Sequence, residues 1–146
     1  MKRINLGLIG FGNIGCGVVK ILQQRKSLLA QKIGVEIVIK KICDKDIAGK
    51  RNVRVDKNLL TRNADEIIND PQIDIIIELM GGINPAKDFI LAALKNGKHV
   101  VTANKALLAE HGNELFREAA ERGKNIYFEA SVGAGIPFIK SIREGL

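Results

Sequence analysis

Two spacings of apolar residues alternate along the chain. Short apolar runs, several rich in β-branched residues, occur as "INLGLIG" (4–10), "VEIVIKKIC" (35–43), "IDIIIEL" (73–79), "KHVVTA" (98–103) and "NIYFEA" (125–130). Runs of this length with little polar alternation read as strands buried on both faces. Between them the period lengthens. Ile14, Val18, Ile21 and Leu22 fall on one helix face, predicting a helix from Asn13 to about Gln31 that Gly34 breaks. "NADEIIND" offers Asn63 as N-cap and Glu66 three residues on, a capping box for a short helix ended by Pro71. "NPAKDFILAALKNG" has Asn84 as N-cap, Pro85 at the first helical position and Gly97 as terminator. "NELFREAAERG" is a helix stopped by Gly123. Five strands separated by helices predict an α/β fold with a mainly parallel sheet covered on both faces.

Composition narrows the setting. The chain has 146 residues, and a domain of that size buries about two thirds of its unfolded-chain surface, enough for a core without staples. The two cysteines, Cys16 and Cys43, have neither the number nor the spacing of a disulfide framework or zinc site, which points to a reducing, cytoplasmic setting. The start of the chain shows no small-residue cleavage site, and no apolar run approaches the roughly 18 residues of a membrane span. No membrane partner is expected. The net charge of +7 raises nucleic acid as a partner. Against it, five Phe and one Tyr sit mostly in apolar runs rather than among basic residues, as a stacking surface would need. The densest basic stretch, "KKICDKDIAGKR", suits attraction for a small polyanion such as a dinucleotide.

Chemistry gathers where strands end. "GFGNIG" sets Gly10, Gly12 and Gly15 in the G-x-G-x-x-G pattern between the first strand and the first helix. Gly10 permits the turn, Gly12 lets backbone approach a pyrophosphate, and Gly15 allows close helix–strand packing. Gly10, Phe11, Gly12, Asn13, Ile14 and Gly15 are therefore candidate cofactor contacts in a Rossmann-type, doubly wound sheet. At the end of the second strand, Asp44 favours the ribose hydroxyls of NAD and Lys45 the phosphate of NADP, with the balance slightly toward NAD. "ELMGG" places Gly81 and Gly82 where backbone can come close to the nicotinamide ribose. "VVTANK" brings Thr102, Asn104 and Lys105 to the same edge. A cation is unfavourable at a helix N-terminus unless negative charge is near, so Lys105 is a candidate for contacting cofactor or a reacting oxygen. In "FEASVGAGIP", Gly133 and Gly135 flank Ala134 in a backbone-rich loop beside the Glu129 carboxylate, a set of oxygens that suits a hard cation.

"GLIGFGNIGCGVVKIL", "ELMGG", "GKHVVTANKALLAEHG" and "FEASVGAGIPFIKSIREGL" together resemble the N-terminal part of homoserine dehydrogenase, in the family's order and over nearly the whole chain. The resemblance implies reversible, nicotinamide-dependent interconversion of aspartate 4-semialdehyde and homoserine, a step toward threonine, methionine and isoleucine. It implies that Lys105 lies by nicotinamide and substrate. It also implies a monovalent cation, commonly sodium, at Glu129, Val132, Ala134 and Ile136, held mainly through main-chain oxygens. The family has a basic residue where Lys45 stands, which keeps NADP open. Residues 1–136 correspond to the nucleotide-binding domain, and 137–146 to the start of a substrate and dimerisation domain. That domain carries a D-L-x-G-x-D-x-x-x-K type segment not found here. A homodimer is expected of the complete enzyme, and no turnover from these residues alone. Two other readings share the glycine fingerprint: an NAD-binding regulatory domain, and a dehydrogenase for another small amino acid derivative.

Overall fold

The structure is a computed structural model that describes residues 2–145. Strands β1 (Lys2–Ile9), β2 (Val35–Cys43), β3 (Leu60–Thr61), β4 (Ile75–Glu78), β5 (His99–Thr102) and β6 (Ile126–Tyr127) form one sheet in the order β3-β2-β1-β4-β5-β6. Every pairing is parallel. Parallel neighbours need crossover connections. Here these carry α1 (Asn13–Gln24), α2 (Lys26–Ile33), α3 (Asp65–Ile68), α4 (Ala86–Lys95) and α5 (Lys105–Glu121), with α6 (Phe138–Gly145) following β6.

The apolar runs are continuous because both faces of the sheet are covered. Leu8 packs with Phe11, Cys16, Val19 and Ile42 on one side, whereas its neighbour Ile9 joins Ile76, Ile90, Leu94, Leu107 and Leu115 on the other. Ile42 and Cys43 divide between the two layers in the same way. Successive strand residues point to opposite faces, so only an unbroken apolar run fills both. At the amino edge of the sheet the buried ammonium of Lys98 donates to the carbonyls of Asp70 (2.5 Å) and Ile73 (2.9 Å), which pins the entry to β4. Burial lowers its pKa against the opposing pull of Asp70 and Asp74.

Several local expectations change. The predicted helix over 13–31 is two helices, because Arg25 leaves helical geometry (φ −107°, ψ 14°) and lets α2 turn onto β2. Its first half buries Gly15, Cys16 and Val19, while Ile14 and Ile21 are 62% and 59% exposed. The sheet selects the face carrying small residues because α1 must approach β1 closely. The strand β3 is too short to carry a hydrophobic period. Asn63 does not form a capping box: its side chain accepts from the Asp65 amide, while Glu66 reaches instead to the Thr61 hydroxyl and the Lys41 ammonium. Asn84 does not cap α4, whose N-cap position is Pro85, with Ala86 as the first helical residue. Gly97 and Gly123 follow the ends of α4 and α5 as expected.

Candidate functional site

The chain winds from β1 outward through β2 and β3, then returns to β4 on the other side of β1. Ligands of open parallel sheets bind beyond the carboxyl ends of the strands at such a reversal. A cleft of about 410 Å³ opens there, with Gly10, Gly12, Asp44, Lys45, Arg62 and Gly81 in its wall.

Each glycine of the first turn has a separate reason. Gly10 holds φ at 103°, and a Cβ on it would lie 2.6 Å from the Leu79 carbonyl carbon, so the turn after β1 sits hard against the turn after β4. Gly15 packs so closely on the Gly10 carbonyl that any side chain would strike it. Among the described residues, its chain neighbours apart, nothing lies within 4 Å of where a Cβ on Gly12 would be. A glycine that its own fold does not require, facing an open cleft, leaves room for something outside the chain. Gly12 is also the N-cap of α1, so no side chain satisfies that helix end, and no acidic residue occupies its first turn. The free amides and positive end of the dipole suit phosphate. Asn13 and Ile14 open this helix, and both are exposed.

On the β2 side, Asp44 does more than face the cleft. Its carboxylate accepts from the Phe11 amide (2.6 Å) and from the Asp46 amide (2.9 Å). Lys45 and Arg62 are exposed on the cleft wall and bring positive charge. Cys43 also lines the cleft, and burial raises its thiol pKa, with Asp44 and Glu66 adding to the effect.

On the β4 and β5 side, the sequence motifs meet through Thr102 and Asn104, expected at this edge, and through Glu78 and Ser131, to which the sequence assigns no role. Glu78, with no exposed surface, accepts from the Met80 amide (2.9 Å) and the Thr102 hydroxyl (2.7 Å). The Thr102 hydroxyl in turn accepts from the Asn104 amide (3.1 Å). Asn104 caps α5 through the Leu107 amide (3.2 Å) and donates to the Gly82 carbonyl (2.5 Å). Ser131 donates to the Thr102 carbonyl (3.0 Å). One bracket of four buried side chains thus joins "ELMGG", "TANK" and "EASVGAGIP". Gly81 and Gly82 are exposed, both with φ at 72°. Lys105 stands exposed at the first position of α5. Thr102 is only 1% exposed and outside the cleft wall, its hydroxyl committed to the bracket. The signal for Glu78 was a charged residue ending the most apolar strand, where it has to be paired.

The loop after β6 is shaped by α6. The Glu129 carboxylate accepts from the amides of Ile139 (2.8 Å) and Lys140 (3.1 Å), so it caps α6. The main chain between turns tightly, with Ala134 at φ 52° and carbonyls of Glu129, Gly133 and Ile136 accepting from Val132, Ile136 and Phe138. Among the described residues, no three His, Cys, Asp or Glu side chains gather as metal ligands.

Sheet order, glycine turn and open helix N-terminus define a dinucleotide-binding domain of Rossmann type. The profile of the family described as "Homoserine dehydrogenase, NAD binding domain" matches residues 10–129, and the chain belongs to the homoserine dehydrogenase family. Homoserine dehydrogenase of Bacillus subtilis is 47% identical over 146 residues, covering all of this chain and 34% of that protein. That of Pseudomonas aeruginosa is 42% identical, again over all of this chain and 33% of its own length. The crystal structure of the Thiobacillus denitrificans enzyme superposes with a TM-score of 0.90 at 40% identity, covering the whole chain and 34% of the other. A hyperthermophilic archaeal homoserine dehydrogenase in complex with NADPH superposes at 0.79 with 26% identity, over 97% of this chain and 48% of the other. The chain spans about a third of the length of the bacterial relatives it matches.

Proposed function

We propose that this chain is the nucleotide-binding part of an enzyme that reversibly interconverts aspartate 4-semialdehyde and homoserine, in the route to threonine, methionine and isoleucine. The observation that carries the reading is the bracket of Glu78, Thr102, Asn104 and Ser131. A bare dinucleotide-binding regulatory domain has no use for a third loop wired to the α5 N-terminus.

The fit of a dinucleotide rests on Gly12, whose open face admits a pyrophosphate, and on the uncapped amides of α1. When bound, the nicotinamide supplies or accepts hydride. The chain's own part is to hold that group and to manage charge. Gly10, Phe11, Gly12, Asn13, Ile14 and Gly15 form the phosphate turn, and Gly81 and Gly82 offer close backbone approach. Lys45 and Arg62 supply charge that accommodates NADP as well as NAD. Lys105 meets the developing alkoxide with its ammonium and donates the proton, and Thr102 contributes by fixing the strand end behind it. Main-chain oxygens of Glu129, Val132, Ala134 and Ile136 would hold a sodium ion, those of Glu129 and Ile136 through their second lone pairs, because each already accepts within the loop. Residues 1–136 form the nucleotide domain. From 137 the chain enters a substrate and dimerisation domain, to which α6 presents Phe138 and Ile142, 51% and 45% exposed. The complete enzyme works as a cytoplasmic homodimer.

The test is homoserine-dependent reduction of NAD and NADP by the whole protein, followed by absorbance. Lys105→Ala is expected to lower turnover by about a hundredfold, the low end for a lost general acid, with dinucleotide affinity little changed. Unaltered turnover would return Lys105 to an ordinary surface charge.

A further inference from the structure

The residue between the first two glycines, Phe11, is held from three sides by the segment that follows β2. Its amide donates to Asp44 (2.6 Å), its carbonyl accepts from Arg51 Nε (2.7 Å), and its ring lies under the Arg51 guanidinium at 5.5 Å. Two of the three guanidinium nitrogens make hydrogen bonds. Nη2 donates to the Asp46 carbonyl (2.5 Å) and lies 3.9 Å from the Asp44 carboxylate, while Nη1 lies 3.5 Å from the Asp46 carboxylate. Asp46 is itself fixed by the Gly49 (2.8 Å) and Ala48 (3.1 Å) amides. The Gly49 amide, then Ala48 and Arg51, hold its carboxyl below the usual range. Gly49 belongs to the same device, since a Cβ there would strike the Asp46 carboxylate and the Arg51 guanidinium.

We infer that Arg51 is a positioning residue for dinucleotide binding: with Asp44 and Asp46 it clamps both backbone groups of Phe11 and so presets the phosphate turn. The inference rests on the nucleotide reading above and deepens it. An arginine just after β2 in a basic stretch would ordinarily be assigned to the 2′-phosphate of NADP. Its geometry here argues otherwise, because the planar fork and the stacked face are spent on Phe11 and Asp46. A clamp on the turn serves the pyrophosphate, which NAD and NADP share. Loss of the clamp therefore weakens both dinucleotides by the same factor, whereas loss of a 2′-phosphate ligand weakens NADP alone.

The experiment is calorimetric titration of the whole protein with NAD, NADP, ADP and AMP, for wild type and Arg51→Lys. Lysine keeps the charge and gives up the fork and the planar stack. NAD, NADP and ADP are each expected to bind about tenfold more weakly, the effect of one charge-assisted hydrogen bond, and AMP to bind as before. Gly49→Ala, which displaces the clamp without altering any charged group, is expected to give the same order of losses and covers the case in which Arg51→Lys fails to fold. A loss confined to NADP, or undiminished affinity for all four in a folded variant, overturns the clamp and leaves the nucleotide reading standing. A wild-type protein that binds neither NAD nor NADP overturns both.

Discussion

The two sides of the crevice are built from opposite materials. Beyond β4 and β5 the loops are joined from inside, by Glu78, Thr102, Asn104 and Ser131, none more than 6% exposed. Beyond β1 and β2 they are joined from outside, by Asp44, Arg51 and Asp46, whose side chains are 21%, 19% and 61% exposed. Water can replace a lost partner in the second set and not in the first. The interior bracket is therefore a stability element whose loss strands buried groups, and the exterior clamp is a geometric element whose loss leaves the fold standing. The division matches the proposed roles. A proton donor, the role proposed for Lys105, needs a support that does not shift, while a phosphate turn needs only its backbone preset.

The largest expected effect comes from breaking the interior bracket at its charged member. Glu78→Ala leaves the Met80 amide and Thr102 hydroxyl without their acceptor and opens a hole, which should cost about 3 kcal/mol in chemical denaturation. Glu78→Gln should cost less, because its carbonyl can still accept from the Met80 amide and its volume fills the site, although its NH₂ cannot replace the oxygen that accepts from the Thr102 hydroxyl. If Glu78→Ala were no more costly than Asp46→Asn on the exposed side, the contrast between the two sides would fail. Next in size is Thr102→Val, which keeps the shape and removes the hydroxyl. It deprives Glu78 of a donor and the Asn104 amide of an acceptor, for an expected loss of about 2 kcal/mol by the same measurement.

These two sides also differ in how plainly the sequence announces them. The glycine turn was legible from its G-x-G-x-x-G spacing between a strand and a helix, and the four other strand-end loops were legible because they follow apolar runs. Glu78 carried a signal in being a carboxylate at the end of "IDIII", yet its partner lies 24 residues on in a neighbouring strand, and no local pattern links them. Arg51 carried none: its target is 40 residues back, and a basic loop residue looks the same whether it is solvated or clamped. The buried face of α1 is not the periodic one: Ile14 and Ile21 fit a helical period, but close approach to β1 favours Gly15, Cys16 and Val19. The division of α1 from α2 had no glycine or proline to mark it. Periodicity reports burial along an element, and contacts between distant loops lie outside its reach.

Acid gives the smallest effect and the sharpest separation of the two sides. Amides and Arg51 hold the Asp46 carboxyl below its ordinary 3.8, led by the Gly49 amide. Hydrogen bonds from Lys26, Lys41 and Lys87 hold Glu36, Glu66 and Glu114 below the ordinary 4.5. A carboxyl whose folded value is depressed binds fewer protons in the folded than in the unfolded chain. Its contribution is complete above the unfolded value and disappears as the pH falls through the folded one. Stability from these groups should be level from neutrality down to about pH 5 and then decline, and Asp46→Asn should make that decline shallower. Glu78→Gln leaves the Asp46 contribution in place. A decline equally steep in Asp46→Asn and wild type would mean that the exterior clamp contributes nothing in acid, and the two sides would then differ in geometry alone.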